Sequence, residues 1–360
     1  MLLQTQSQTN SPCLHSNVEK HIKDTSFRIY KSKSNNSEMT MRKHKLLSIQ
    51  HTSPILILTV ISSAGSLKKG TTLTINCLGL VNGLNNRKDG YVYFGFYPNN
   101  MSIPSDTNSN KIIDFNLDPE YKLNHHNKMQ ITNKESVDAT EFGDVANNSN
   151  IGRHFVIEFS IPNYKYIIKD LGLGYGTFVR LDRLITLKDN QLINIGQIFI
   201  VVNICDKVEN ENSHYVNYGG NNNNNGVTNG NTNNNNNNTS IASAKANQLK
   251  LKVYGPVNNG ETFYFEPKKN NISIGRYELA DVKLKDKMLT QIHCMINYSD
   301  EGWKLMDGQT NKPSTNGTWI YINEEFEMYN RMMFKTNQTI FEVSVLNPND
   351  KGEYVIDDEL

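Results

Sequence analysis

The sequence has little that marks a membrane, secreted or metal-binding protein. Its four cysteines, Cys13, Cys77, Cys205 and Cys294, stand singly and far apart. Without paired spacing or an accompanying histidine pattern they give neither a disulfide framework nor a Cys/His metal site, and suit a reducing compartment. Long apolar runs are missing: Ile55–Ile61 is the longest, far short of the roughly 20 residues a spanning helix needs. The opening Met1-Leu-Leu turns polar at once, so it does not read as a secretory signal. Excess charge is missing too. The 37 Lys and Arg nearly cancel the 36 Asp and Glu, leaving no broad field to gather nucleic acid or a membrane surface, so any anion must be caught locally. These absences lead us to expect an intracellular protein, nuclear or cytoplasmic, with no cofactor, metal, small-molecule substrate, direct nucleic-acid partner or membrane contact.

Convincing amphipathic helices are also absent, whereas short apolar or alternating segments rich in Val, Ile, Phe and Tyr recur throughout. Their turn-rich spacing predicts an all-β protein of sandwich or barrel type. Residues 1–50 are polar and without period, the composition of a disordered tail. Residues 206–247 carry the asparagine runs Asn221–Asn225 and Asn233–Asn238 and read as a flexible linker. The expected organisation is therefore a β domain over 52–205 with a long loop at 118–150, a second over 248–346, and a C-terminal tail over 347–360. Leu249, Leu251 and Val253 alternate with lysines, which puts one strand face in the core. Ile198–Ile204 is apolar almost throughout and is expected to be central, covered on both faces.

Three short patterns follow one another in the second half: Ile274-Gly275-Arg276, Thr290-Gln291-Ile292-His293 and Thr315-Asn316-Gly317-Thr318. Alone, each is most often a turn with exposed polar groups. In this order, with Asp281-Val-Lys-Leu284 after the first and Trp303–Asp307 before the third, they resemble the forkhead-associated (FHA) domain over about residues 248–346. The resemblance implies that Arg276, Thr290, Gln291, Thr315 and Asn316 bind a phosphothreonine and its adjoining peptide backbone, while Gly275, His293 and Gly317 support the site. The chemistry suits that role, because a phosphate offers several acceptor oxygens and needs a fixed cation with converging donors. Two positions depart from the family's usual pattern: Thr290 stands where serine is common, and Gln291 where Arg or Asn is. The hydroxyl survives, which implies retuned binding. Trp303 is read as core, and the lysines Lys250, Lys252, Lys268, Lys269, Lys283, Lys285 and Lys287 as solvated strand faces and edges.

The first half contains Asp170-Leu-Gly-Leu-Gly-Tyr-Gly-Thr177. Gly172, Gly174 and Gly176 have a nucleotide-loop spacing, but no helix start, strand lysine or metal-binding motif accompanies them. With His154 upstream and Leu187–Ile204 downstream, the half resembles a degenerate FHA domain. Phe96 stands where the arginine belongs, Ile151 and Gly152 replace the hydroxyl and its neighbour, and Tyr175 replaces the asparagine. Gly95, Asp114, His154, Asp170, Gly176 and Thr177 are the fold-holding residues retained. Arg87 and Arg153 are read as surface salt-bridge residues rather than replacements for the arginine. The resemblance as a whole implies two FHA-type sandwiches in a non-enzymatic adaptor for phosphothreonine proteins in Ser/Thr-kinase signalling. The alternative is a scaffold that docks partners regardless of phosphorylation.

Overall fold

The computed structural model describes residues 18, 20–22, 36–81, 83, 87–95, 113–117, 153–172, 176–205, 248–349 and 352–356. The 118–150 loop (beyond its first residues' flank at Leu117), the Asn-rich 206–247 stretch, Phe96, Ile151, Gly152 and Tyr175 lie outside them. Helix α1 (Asn36–Ser48) precedes the strands of the first half. These are β1 (Ile55–Ser63), β2 (Thr72–Asn76), β3 (Gly79–Leu80), β4 (Tyr91–Gly95), β5 (Phe115–Asn116), β6 (Arg153–Ser160), β7 (Lys165–Asp170), β8 (Thr177–Arg180), β9 (Ile185–Thr186), β10 (Leu192–Ile195) and β11 (Ile198–Cys205). The second half supplies β12 (Gln248–Tyr254), β13 (Thr262–Phe265), β14 (Ile272–Gly275), β15 (Val282–Lys283), β16 (Cys294–Ser299), β17 (Gly302–Asp307), β18 (Thr318–Tyr321), β19 (Phe326–Glu327), β20 (Met333–Thr336), β21 (Thr339–Pro348) and β22 (Tyr354–Ile356). The all-β architecture agrees with the sequence reading.

One long sheet runs β13-β12-β11-β10-β18-β8-β20-β21-β1-β2-β3, with β22 added on β21. Two shorter sheets, β15-β14-β16-β17-β9 and β19-β7-β6-β4-β5, accompany it. The buried side chains divide into two main cores. One joins Leu56, Leu58, Phe94, Phe155 and Ile168 to Met332, Phe334, Phe341 and Val343. The other joins Leu187, Ile193, Ile198 and Ile200 to Leu249, Leu251, Ile274, Ile296, Trp303 and Leu305. Each core thus combines residues from both halves of the chain.

The pairing shows why. β21 runs antiparallel to β1, Ile55 opposite Leu346, and β20 pairs with β8. In the other direction β11 pairs with β12 from Phe199↔Tyr254 to Cys205↔Gln248, β10 pairs with β18, and β9 pairs with β17. The first sandwich is therefore closed by β19–β21 from the end of the chain, and the second by β9–β11. The halves have exchanged their last three strands. A boundary at 206–247 is corrected accordingly: its flanks, Cys205 and Gln248, are neighbours in one hairpin inside the second sandwich. The crossings fall instead at Leu181–Leu184 and Ile322–Glu325, between strands whose outermost side chains enter opposite cores. In consequence the second sandwich uses one continuous stretch, about 181–322, while the first uses the chain on either side of it.

The exchange follows a local two-fold pattern. β8 and β18 pair antiparallel about Val179↔Ile320, with Arg180 opposite Trp319 and Phe178 opposite Tyr321. Leu181 N–H donates to Thr318 O at 2.7 Å and Ile322 N–H to Thr177 O at 3.0 Å, so the same bond is made on each side. β11 is central and covered on both faces, as its apolar sequence requires. Ile200 and Val202 enter the second core, and Val201 joins an outer cluster with Val18, Ile22, Phe178, Leu192 and Trp319.

The polar N-terminal residues are not all without structure, which corrects the reading of 1–50 as a tail. In α1, Glu38 in the first turn and Lys45 in the last complement the helix dipole. The helix docks through few contacts: Leu46 is fully buried, and Arg42 donates to Asp89 O and Phe159 O, both at 2.8 Å. Two anchors leave no sustained apolar period for a sequence to show.

On the outer face of the long sheet, Lys335 lies 4.5 Å from the Trp319 ring centroid and donates to Asn194 Oδ1. Burial pulls its ammonium down to about 7, whereas an unfolded lysine titrates near 10.4. Between these values the unfolded chain binds more protons, so stability rises with pH across that window and the penalty is fully present below 7. Lys335→Met should therefore stabilise the protein at pH 6.5 and progressively less toward pH 10. Urea unfolding at both ends of the window checks this, and an equal difference at each would refute it.

Candidate functional site

The three sequence patterns converge at one end of the second sandwich. Arg276 leaves β14 just after Gly275, Thr290 and Gln291 lie in the loop before β16, and Thr315 and Asn316 precede β18. The first two segments are held by the backbone: Arg276 N–H donates to Thr290 O at 3.2 Å and Tyr277 N–H to Gln291 O at 3.0 Å. That approach requires a glycine before the arginine. A Cβ on Gly275 would sit 2.1 Å from Gln291 O and 3.0 Å from His293 N. Gly275→Ala should destabilise the protein by at least the roughly 1–3 kcal/mol typical of overpacking, because the obstacle is backbone. Denaturant unfolding gives the value, and an unchanged midpoint would contradict the contact.

Arg276 is exposed, and its Nε donates to Leu289 O at 2.8 Å. That bond fixes the plane of the guanidinium, and no ion pair among the described residues uses its terminal amino groups. A planar fork held in this way is suited to an oxyanion. Gln291 and Thr315 are exposed and Thr290 and Asn316 half-buried. Asn316 Nδ2 donates to Met288 O at 2.7 Å, tying the third loop to the second. Trp319 Nε1 donates to Asn316 O at 3.0 Å, fixing the loop from below.

His293 is fully buried behind these loops. Thr290 N–H donates to its Nδ1 at 3.2 Å, which leaves the proton on Nε2 to reach Gly317 O at 3.1 Å. Burial lowers its pKa first, against opposing bonds and charges; the neutral ring can accept from one loop while donating to the other. The Thr290 hydroxyl donates to Ile292 O at 2.9 Å. Asp307 secures the third loop, accepting from Ser314 N–H at 3.0 Å and from the Ser314 and Thr318 hydroxyls at 2.6 Å each. Gly317 has φ +78°, a left-handed conformation that suits glycine.

The first sandwich repeats parts of this frame. β4 pairs parallel with β5 as β14 does with β15. Leu171 N–H donates to His154 O at 2.8 Å, where Gly308 N–H donates to His293 O at 2.7 Å. Asp170 is fully buried, accepts from Gly172 N–H at 2.8 Å and Tyr321 OH at 3.0 Å, and is raised by burial to about 6. Arg87 pairs with Asp114 and Asp89, but both carboxylates are buried, so the ion pair is not the surface one expected from the sequence. Arg153 does not fit that reading either. It is buried, with its guanidinium carbon 3.7 Å from the Tyr93 ring centroid, an arrangement that favours a cation over an electron-rich face.

Sequence reasoning missed what the exchanged strands contribute to the site. The turn between β10 and β11 supports the second loop, where Gln197 N–H donates to Asp286 Oδ2 at 2.8 Å and Asp286 Oδ1 accepts from Met288 N–H at 2.8 Å. Arg180 of β8 packs against the third loop, its Nε 2.7 Å from where a Gly317 Cβ would be. No local pattern announces either contact, since both depend on which strands pair. Among the described residues, no group of three or more His, Cys, Asp or Glu side chains is placed to hold a metal ion, and no helix is long and apolar enough to cross a membrane.

A model of the FHA domain family matches residues 272–339. The matched stretch begins on β14 and ends at the start of β21, so it passes from the second sandwich into the first. No curated protein matches the chain.

Proposed function

We propose, from the premise that the chain carries an FHA domain, that the protein is an adaptor which captures phosphothreonine-containing partners at the second sandwich. FHA domains are non-catalytic modules that bind phosphothreonine peptides. The observation that carries the assignment to this sandwich is Arg276, exposed, oriented through Nε on Leu289 O, and without an ion pair among the described residues. Thr290, Gln291, Thr315 and Asn316 surround it with donors on loops held by a rigid sandwich, the Arg-centred mode of phosphopeptide capture. The partners are substrates of Ser/Thr kinases. The first sandwich is a degenerate FHA module, retaining the frame of Asp114, His154, Asp170 and Gly176 and serving as structural support.

The test uses the full chain against peptides with phosphothreonine, phosphoserine or unmodified threonine. Selective binding of the first is expected, and equal binding of all three would overturn the proposal. The scaffold reading draws on the Thr290 hydroxyl, which is already bonded to Ile292 O. Phosphatase treatment of captured partners separates the readings, because a scaffold keeps its partners and a phosphothreonine reader releases them.

A further inference from the structure

From the first half, Arg180 lies against Gly317 of the loop bearing Thr315 and Asn316. In a single sandwich of this type β18 would have no such neighbour. Here β8 pairs with β18, Arg180 opposite Trp319, and the Arg180 side chain runs along Gly317, with Nε, Cδ and Cγ 2.7, 3.2 and 3.3 Å from a Cβ built there. Its pseudo-symmetric counterpart is Tyr321, which lies against Gly176 in the same way, Cε2 2.8 Å from the built Cβ. Tyr321 is occupied there by the buried carboxylate of Asp170. Arg180 has no equivalent partner. Its Nη1 donates to Met333 Sδ at 3.5 Å, and a thioether is a weak acceptor that neutralises no charge. Arg180 is half-buried and forms no ion pair among the described residues.

We propose that Arg180 is a specificity-determining residue of the phosphothreonine site, taking a second anionic group of the ligand close to Asn316. The proposal rests on the reading of the second sandwich given above. A planar, permanently charged fork beside the third loop selects ligands in which the phosphothreonine is accompanied by an acidic residue or a second phosphate. The half without its own arginine site thereby supplies a cation to the half that has one.

The experiment titrates the full chain with phosphothreonine peptides of three kinds: neutral flanks, an aspartate scanned through the flanking positions, and a second phosphorylated residue scanned likewise. The native protein should prefer one acidic position by about tenfold, near the lower end of what a charge-assisted bond contributes. The aspartate and phosphate arms show which anion is favoured. Arg180→Gln should remove the preference, so that neutral-flank and acidic-flank peptides bind alike, and Arg180→Lys should retain part of it. Thermal unfolding of each variant identifies loss of packing. A preference surviving in folded Arg180→Gln overturns the proposal, as does a native chain that binds all peptides alike. A native chain that binds no phosphothreonine peptide overturns the underlying reading of the site as well.

Discussion

Replacing Arg276 by alanine should reduce phosphothreonine-peptide affinity of the full chain by at least a hundredfold, with little change in stability. Each charge-assisted hydrogen bond contributes about 1.5–3 kcal/mol, and the free end of the guanidinium can make two to a phosphate, so the combined loss is about 3–6 kcal/mol. The side chain is exposed, and the bond it surrenders within the protein is that from Nε to Leu289 O. The fold should therefore survive. Arg276→Lys keeps a positive charge but loses the fork and the orienting bond, and most of the affinity should go with them. Titration calorimetry gives the affinities and urea unfolding the stability. Binding unchanged in Arg276→Ala would place the phosphate elsewhere.

Expression of residues 248–360 alone should yield a chain that neither unfolds cooperatively nor binds phosphopeptide, although it contains every sequence-predicted site residue. That fragment lacks β8–β11, so β12 loses β11, β18 loses both its partners, and Ile193, Ile195, Ile198 and Ile200 leave the core. Its β20 and β21 belong with β8 and β1, which it also lacks. Adding a separately made fragment covering 36–205 should restore both sandwiches and binding, because no described contact requires an intact chain between Cys205 and Gln248. Residues 181–322, continuous and holding all strands of the second sandwich, should fold without help. Circular dichroism, denaturant unfolding and peptide titration on the three preparations decide the matter. A 248–360 fragment that folds and binds alone would refute the exchange.

The fold class was legible because it is written locally. Alternation at Leu249, Leu251 and Val253 announces a half-buried strand, and the stretch Ile198–Ile204, apolar but for Asn203, announces one buried on both faces. Gly275, Arg276, His293, Asn316 and Gly317, named together from short local patterns, lie on neighbouring loops at one end of the second sandwich. The pairing of strands was not legible. β10 and β11 have the same apolar character whether they close one sandwich or the other, so neither periodicity nor composition distinguishes Ile200 beside Val253 from Ile200 in a first-half core. The asparagine-rich stretch misled for a related reason. Low complexity reports that a segment buries no core, and this holds equally for a domain linker and for a loop inserted into a hairpin. Helix α1 escaped notice because its docking depends on Arg42 and Leu46 rather than on an apolar stripe.

The antiparallel pairing of β1 with β21 governs how the molecule answers tension. Ile55 lies opposite Leu346 at one end of the ladder and Ser63 opposite Thr339 at the other, so force applied through the two chain ends arrives at the same edge of the pair. The strands would peel apart rung by rung rather than resist together in shear. Residues 181–322 hang between the crossings as a closed loop and carry no load until β8 and β20 part. The proposed binding site is thereby insulated from strain on the tethers, and a partner captured there would stay held while the outer sandwich yields.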